Sequence, residues 1–193
     1  HINKIEPVHY FIKEIGKELE VYRYWKPYFN ASDKTKEDHI RAIRDVLYDS
    51  VKVHMRSDVP VGAFLSGGID SSIIASIAKE INPNLLTFSV GFEHRGFSEI
   101  DVAKETAEKL GVKNYSVLVT PQEFMNEFPK IMWHMDDPLA DPAAVPLYFV
   151  AKEARKHVTV VLSGEGSDEL FGGYNIYREP NSLKMFSYIP TSG

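Results

Sequence analysis

Two short Ser-Gly turns hold the residues best suited to chemistry, Ser66-Gly67-Gly68-Ile69-Asp70-Ser71-Ser72 and Ser163-Gly164-Glu165-Gly166-Ser167-Asp168-Glu169. Each closes an apolar run, and each has an acid a few residues beyond its first serine. Glycine lets backbone N–H groups come close to phosphate oxygens, and a helix starting at such a turn adds the positive end of its dipole. Ser66, Gly67, Gly68, Asp70, Ser71 and Ser72 are therefore expected to surround the β- and γ-phosphates of a nucleotide. Asp70 and Asp168 are the expected ligands of Mg2+ beside them. The pattern Gly-x-x-x-x-Gly-Lys-Ser/Thr is absent, and no lysine follows the first glycine pair. Transfer of the γ-phosphoryl group is not favoured; a loop of this kind suits pyrophosphate as leaving group, with attack on the α-phosphorus.

These turns need strands and helices to hold them. Val61 to Leu65, Leu85 to Val90, Asn114 to Val119 and Val158 to Leu162 read as strands alternating with helical stretches, the pattern of an α/β protein with an open parallel sheet and helices on both faces. Thr35 with Asp38 predicts the start of a helix over about Lys36 to Ser57, with Ile40, Ile43, Val46, Leu47, Val51 and Met55 on its apolar face. Ser98 with Asp101 opens a second helix that Gly111 closes, Thr120-Pro121 with Glu123 opens a third, and Asp141-Pro142 a fourth. Leu19 to Tyr24 is a further short strand. Right-handed crossovers give the four main strands the order 3-2-1-4, and the ligand crevice falls where the winding reverses, at the ends of the strands closing at Leu65 and Leu162. Both Ser-Gly turns begin there.

The 193 residues suffice for one substantial domain plus an extension, and the net charge of −5 without a sustained Lys/Arg run excludes a general attraction for nucleic acid or an anionic membrane. Zero cysteines exclude disulfides, thiolate metal sites and cysteine nucleophiles within these residues. No apolar stretch approaches the ~18 residues needed to cross a bilayer and no signal-peptide layout is present, so a cytoplasmic protein is expected.

The run VGAFLSGGIDSSI resembles the pyrophosphate-binding loop of the ATP pyrophosphatase families, and LSGEGSDELFGGY is similar to the second signature of the glutamine-hydrolysing asparagine synthetases. The resemblance implies the ATP pyrophosphatase fold and an ATP- and Mg2+-dependent ligase in which the aspartate β-carboxylate attacks the α-phosphorus, pyrophosphate leaves, and ammonia displaces AMP from β-aspartyl-AMP. It implies Glu165 as the general base toward ammonia. Leu65 and the Ser89-Val90-Gly91 segment are implied at adenine, and Ser163 and Gly164 near the ribose and α-phosphate. Asp136, Asp137 and Asp141 lie in a segment that looks like the family's aspartate-binding region. Residues 1–30 resemble the exit from a glutaminase domain that would supply ammonia from glutamine, and 31–193 a synthetase domain whose later part, with a family lysine, is expected beyond Gly193. A homodimer is left open.

Other readings remain at this stage. Asp70 could serve only to cap a tight turn, Glu165 could be a helix-start acid, and Asp141 an N-cap. A β-lactam synthetase or peptide cyclase would share the chemistry with a nucleophile from within its substrate. A tRNA-modifying pyrophosphatase is disfavoured by charge and the lack of cysteine, and a non-catalytic nucleotide-binding module is the remaining alternative.

Overall fold

The computed structural model describes residues 3–28, 32–93, 99–136, 141 and 143–179. It divides into two compact units, residues 1–42 and 43–193.

In the first unit, β1 (His9–Ile12) pairs antiparallel with β2 (Glu20–Arg23), with Tyr10 opposite Tyr22. Their rings stack at 5.3 Å. The strand expected from Leu19 to Tyr24 is thus present as β2; its partner β1 has no alternation that would announce it. The helix α1 (Lys36–His54), whose residues from Ile43 onward belong to the second unit, opens on the expected box, in which Asp38 N–H donates to Thr35 Oγ1 at 3.2 Å and Thr35 N–H donates to Asp38 at 3.4 Å.

The second unit is built on a parallel sheet of β3 (Val61–Phe64), β4 (Leu86–Phe92), β5 (Lys113–Val119) and β6 (Val160–Leu162), in spatial order β5-β4-β3-β6. This is the order expected from the sequence. Between them run α2 (Ile69–Ile81), α3 (Glu99–Leu110), α4 (Pro121–His134) and α5 (Ala144–Ala154), and α6 (Ser167–Phe171) follows β6. Apolar residues on both faces of β3 and β4 reflect burial on both sides. Ala63 and Leu65 pack toward Ala75, Ala78, Ala103 and Ala107, where small side chains bring helices close to the sheet. On the other face Phe88 packs with Val150, Ala154 and Val158, and Val119 with Ile131, Val145 and Phe149.

Helix punctuation follows the sequence in most places. Gly111 at φ +64° closes α3, and the Thr120–Glu123 capping box with Pro121 opens α4. Ser98 and Pro142 lie outside the described residues. α5 starts later than its acid suggests: its N-cap is Ala143, whose N–H donates to Asp141 Oδ1 at 2.9 Å. No described helix is long and apolar enough to cross a membrane.

Glu127 fastens α4 to α5. It accepts from Tyr148 Oη at 2.7 Å and from Lys152 Nζ at 3.2 Å. The Tyr148 hydroxyl first, and Lys152 second, hold its carboxyl below the ordinary glutamate range. A depressed folded-state pKa contributes stability above the unfolded value and loses it as pH falls through the folded one. Glu127→Gln should therefore lower the melting temperature at neutral pH, with the gap to the native chain closing as the medium is acidified below the glutamate range. A gap independent of pH in thermal scans would refute this role.

Candidate functional site

At Leu65 the chain leaves the sheet. Its N–H donates to Phe88 C=O at 2.8 Å, the last rung between the β3 segment and β4. Ser71, buried at the start of α2, then organises the loop: its Oγ accepts from Ser66 N–H at 3.2 Å and donates to Gly68 C=O at 3.1 Å. Because that proton is spent, Ser66 Oγ is the donor in its 3.0 Å contact with Ser71 Oγ. Ser72 Oγ also donates to Gly68 C=O, at 2.7 Å. All three hydroxyl protons are thus used within the loop. The N–H groups of Ile69, Asp70 and Ser71, in the first turn of α2, have no carbonyl four residues back to pair with.

Gly67 has φ +82°, and a Cβ there would lie 2.9 Å from Val102 Cβ, so glycine allows the loop to seat on α3. The second turn uses glycine for a similar reason. A Cβ on Gly164 would stand 3.1 Å from Ser71 N and 3.2 Å from Asp70 Cβ. The backbone after β6 therefore lies directly against the first turn of α2. Ser167 Oγ donates to Gly164 C=O at 2.8 Å, and Gly166 at φ +88° is the N-cap of α6. The Asp168 carboxylate packs where Gly173 has no side chain; a Cβ there would collide with it.

The two turns open on one cleft of about 530 Å³. From the first come Leu65, Ser66, Asp70 and Ser71, and from the second Ser163, Gly164, Glu165 and Asp168. Val90 joins them from β4. Ladder alternation fixes what Val90 offers. Phe88 directs its C=O to the β3 side, so Val90, two residues on, directs its N–H and C=O the same way, past the point where β3 has turned off. That edge faces the cleft.

Gly67, Gly68 and Ser72 do not line the cleft; they shape the loop behind it. Asp136 and Asp141 do not line it either, and Asp137 lies outside the described residues. Sequence reasoning missed the apolar wall contributed by Phe92 and by Pro146, Leu147 and Val150 of α5, and it missed Tyr174. The tyrosine had a signal, since it ends the run LSGEGSDELFGGY. Its hydroxyl donates to Glu169 at 3.0 Å, and that bond, followed by the charges of Glu169, Asp168 and Glu165, raises its pKa above the ordinary tyrosine value.

Among the described residues no group of three or more acidic or histidine side chains converges on a ready-made metal cage. Two carboxylates on one cleft wall suit Mg2+, which is commonly bound through one or two carboxylates plus substrate phosphates.

The model of the asparagine synthase family matches residues 42–192, spanning both turns and the whole parallel sheet. The chain belongs to this family. A glutamine-hydrolysing asparagine synthetase of Bacillus subtilis is 62% identical over 99% of the chain and 30% of the relative. A putative one of Mycobacterium tuberculosis is 57% identical over 88% of the chain and 26% of the relative. Asparagine synthetase B of Escherichia coli is 34% identical over 85% of the chain and 32% of the relative. The chain thus spans about a third or less of the length of these relatives. Among solved structures, an NH3-dependent NAD synthetase of Campylobacter jejuni has a TM-score of 0.46 at 16% identity, covering 74% of this chain and 62% of its own. An NMN synthetase of Francisella tularensis has a TM-score of 0.47 at 17% identity, covering 74% and 59%.

The seating of Gly164 on α2 gives the site a sharp stability test. Gly164→Ala should cost about 1–3 kcal/mol, as overpacking against backbone does, read by denaturant unfolding. An unchanged midpoint would show that the two turns part freely.

Proposed function

We propose that this chain supplies the nucleotide-binding core of an enzyme that converts aspartate to asparagine at the expense of ATP. The observation that carries the reading is the direct seating of the second turn on the first turn of α2, which puts Asp70, Asp168 and Glu165 on one cleft. Family membership supplies the reaction class.

In this reading the adenine edge lies along Val90, whose N–H and C=O match a ring acceptor and an amino donor, while Phe92 and Leu147 cover the ring. The unpaired N–H groups of Ile69, Asp70 and Ser71 receive the pyrophosphate end, aided by the α2 dipole. The Ser66 and Ser71 hydroxyls hold the loop in shape, and they reach phosphate only by giving up their bonds to one another. Ser163 and Gly164 lie beside the α-phosphate. Asp70 and Asp168 would hold Mg2+, which supplies positive charge for the departing pyrophosphate.

The aspartate β-carboxylate oxygen forms a bond to the α-phosphorus as the bond to pyrophosphate breaks. Ammonia then attacks the activated carbonyl carbon, the carbon–oxygen bond to AMP breaks, and Glu165 takes a proton from the nitrogen. Glutamine, hydrolysed in an associated glutaminase domain, is the proposed ammonia source. The bound aspartate is assigned to the region of Asp136, Asp137 and Asp141, with Asp141 contributing through the turn it caps.

Calorimetric titration with ATP, with and without Mg2+, tests the core claim. Binding should strengthen with Mg2+, and Asp70→Ala or Asp168→Ala should remove most of that gain, a loss of about tenfold or more. Binding that ignores Mg2+ and both substitutions would overturn the metal assignment, and no ATP binding would overturn the nucleotide reading for this chain.

A further inference from the structure

Behind the cleft a polar cluster is buried in the sheet, and no step proposed above uses it. Thr87 and Ser89 of β4 are both almost wholly inaccessible, at 0% and 2% exposure. Thr87 Oγ1 lies 3.0 Å and Ser89 Oγ 3.2 Å from the Asn114 side-chain amide on β5, whose other end lies 3.0 Å from Ser116 Oγ. Ser89 Oγ also lies 2.6 Å from Leu65 C=O, the shortest of these contacts.

Counting protons orders the cluster. Ser89 has one hydroxyl proton, and the Leu65 carbonyl can only accept, so the proton goes there. The Thr87 hydroxyl is then the donor to Asn114 Oδ1, and Asn114 Nδ2 donates to Ser116 Oγ. The Ser89 proton is thus committed to the Leu65 carbonyl, the shorter of its two contacts.

That carbonyl is where the parallel ladder would continue. Leu65 N–H to Phe88 C=O is the last rung made; the next in a parallel pair is Val90 N–H to Leu65 C=O. It is not made, and the Ser89 hydroxyl takes its acceptor. We infer that Ser89 is a positioning residue that interrupts the β3–β4 ladder by one rung and so keeps the Val90 N–H free to bind the nucleoside ring. The inference rests on the nucleotide reading proposed above. It adds the reason a sheet edge that could close on itself stays open at the ligand.

The test uses Ser89→Ala in the full chain, with two probes and one local measurement. Without the hydroxyl, Leu65 C=O accepts the Val90 N–H and the ladder zips by one rung. Affinity for MgATP should fall about tenfold, the order of one lost hydrogen bond, whereas affinity for inorganic tripolyphosphate in the same Mg2+ buffer should not change, because that ligand has no ring. Hydrogen exchange at the Val90 amide, followed by NMR without ligand, should slow. Loosening of the fold would accelerate that exchange and weaken both ligands. Unchanged ATP affinity, or faster exchange at Val90, overturns the inference while native ATP binding leaves the nucleotide reading standing. Failure of the native chain to bind ATP removes both, and is told apart by the native titration itself.

Discussion

The close approach of two backbones at Gly164 is the constraint on which the site depends. Parallel strands β3 and β6 are neighbours, so the segments leaving their carboxyl ends start side by side. Adjacency alone does not make a site, because side chains on either segment would hold the two apart. Gly164 removes the obstacle, and the turn after β6 settles on the first turn of α2 with the contact of packed backbone. Asp70 and Asp168, nearly a hundred residues apart in sequence, then share a cleft. The same logic recurs at Gly67 against α3 and at Gly173 against the Asp168 carboxylate. In each case the absence of a Cβ decides where a neighbouring group can stand.

Shape is then held by hydrogen bonds that are complete before any ligand arrives. The protons of Ser66, Ser71 and Ser72 are spent inside their own loop. This leaves the orphan amides at the start of α2 as the donors with nothing to give up, and groups fixed in advance cost little reorganisation when charge arrives. The serines of the motif thus act first as internal bracing. α5 supplies the opposite wall, and its position is set on its far side, where Tyr148 and Lys152 meet Glu127 of α4.

Much of this was legible in the sequence, for identifiable reasons. The strand order followed from apolar runs, glycine turns and the handedness of crossovers, all local or universal signals. The members of the cleft from Leu65 to Ser71 and from Ser163 to Asp168 followed from the motifs themselves. What the sequence did not disclose depends on contact between distant elements. Gly67, Gly68 and Ser72 belong to the same motif as Asp70, yet Gly67 seats against α3, Ser72 bonds back to Gly68 C=O and none of the three lines the cleft, which spacing within the motif does not reveal. The wall formed by Pro146, Leu147 and Val150 reads as an ordinary apolar helix face, because nothing local distinguishes a residue that covers a ligand from one that covers a strand. Asp141 was ambiguous between cap and ligand, and its carboxylate is engaged with the Ala143 N–H.

In the function proposed above, the two sides of the cleft divide the work of recognising a nucleotide. The floor near Val90, Phe92 and Leu147 offers apolar surface and one strip of unpaired backbone, which suits a flat ring with donors and acceptors along one edge. The opposite end gathers helix amides and carboxylates, a mixture that repels a bare polyphosphate and attracts one already bound to a divalent cation. Neither end alone would select MgATP: the first accepts any purine-like ring, and the second any metal-bound polyphosphate. In that reading selectivity comes from the sheet, which fixes the distance between them. Leu65 is the hinge of that distance, since its N–H is the last tie to β4 and its carbonyl begins the loop that leads to Asp70. The side chain that takes up this carbonyl, Ser89, therefore acts on the Val90 end of the cleft and leaves the phosphate end as it is.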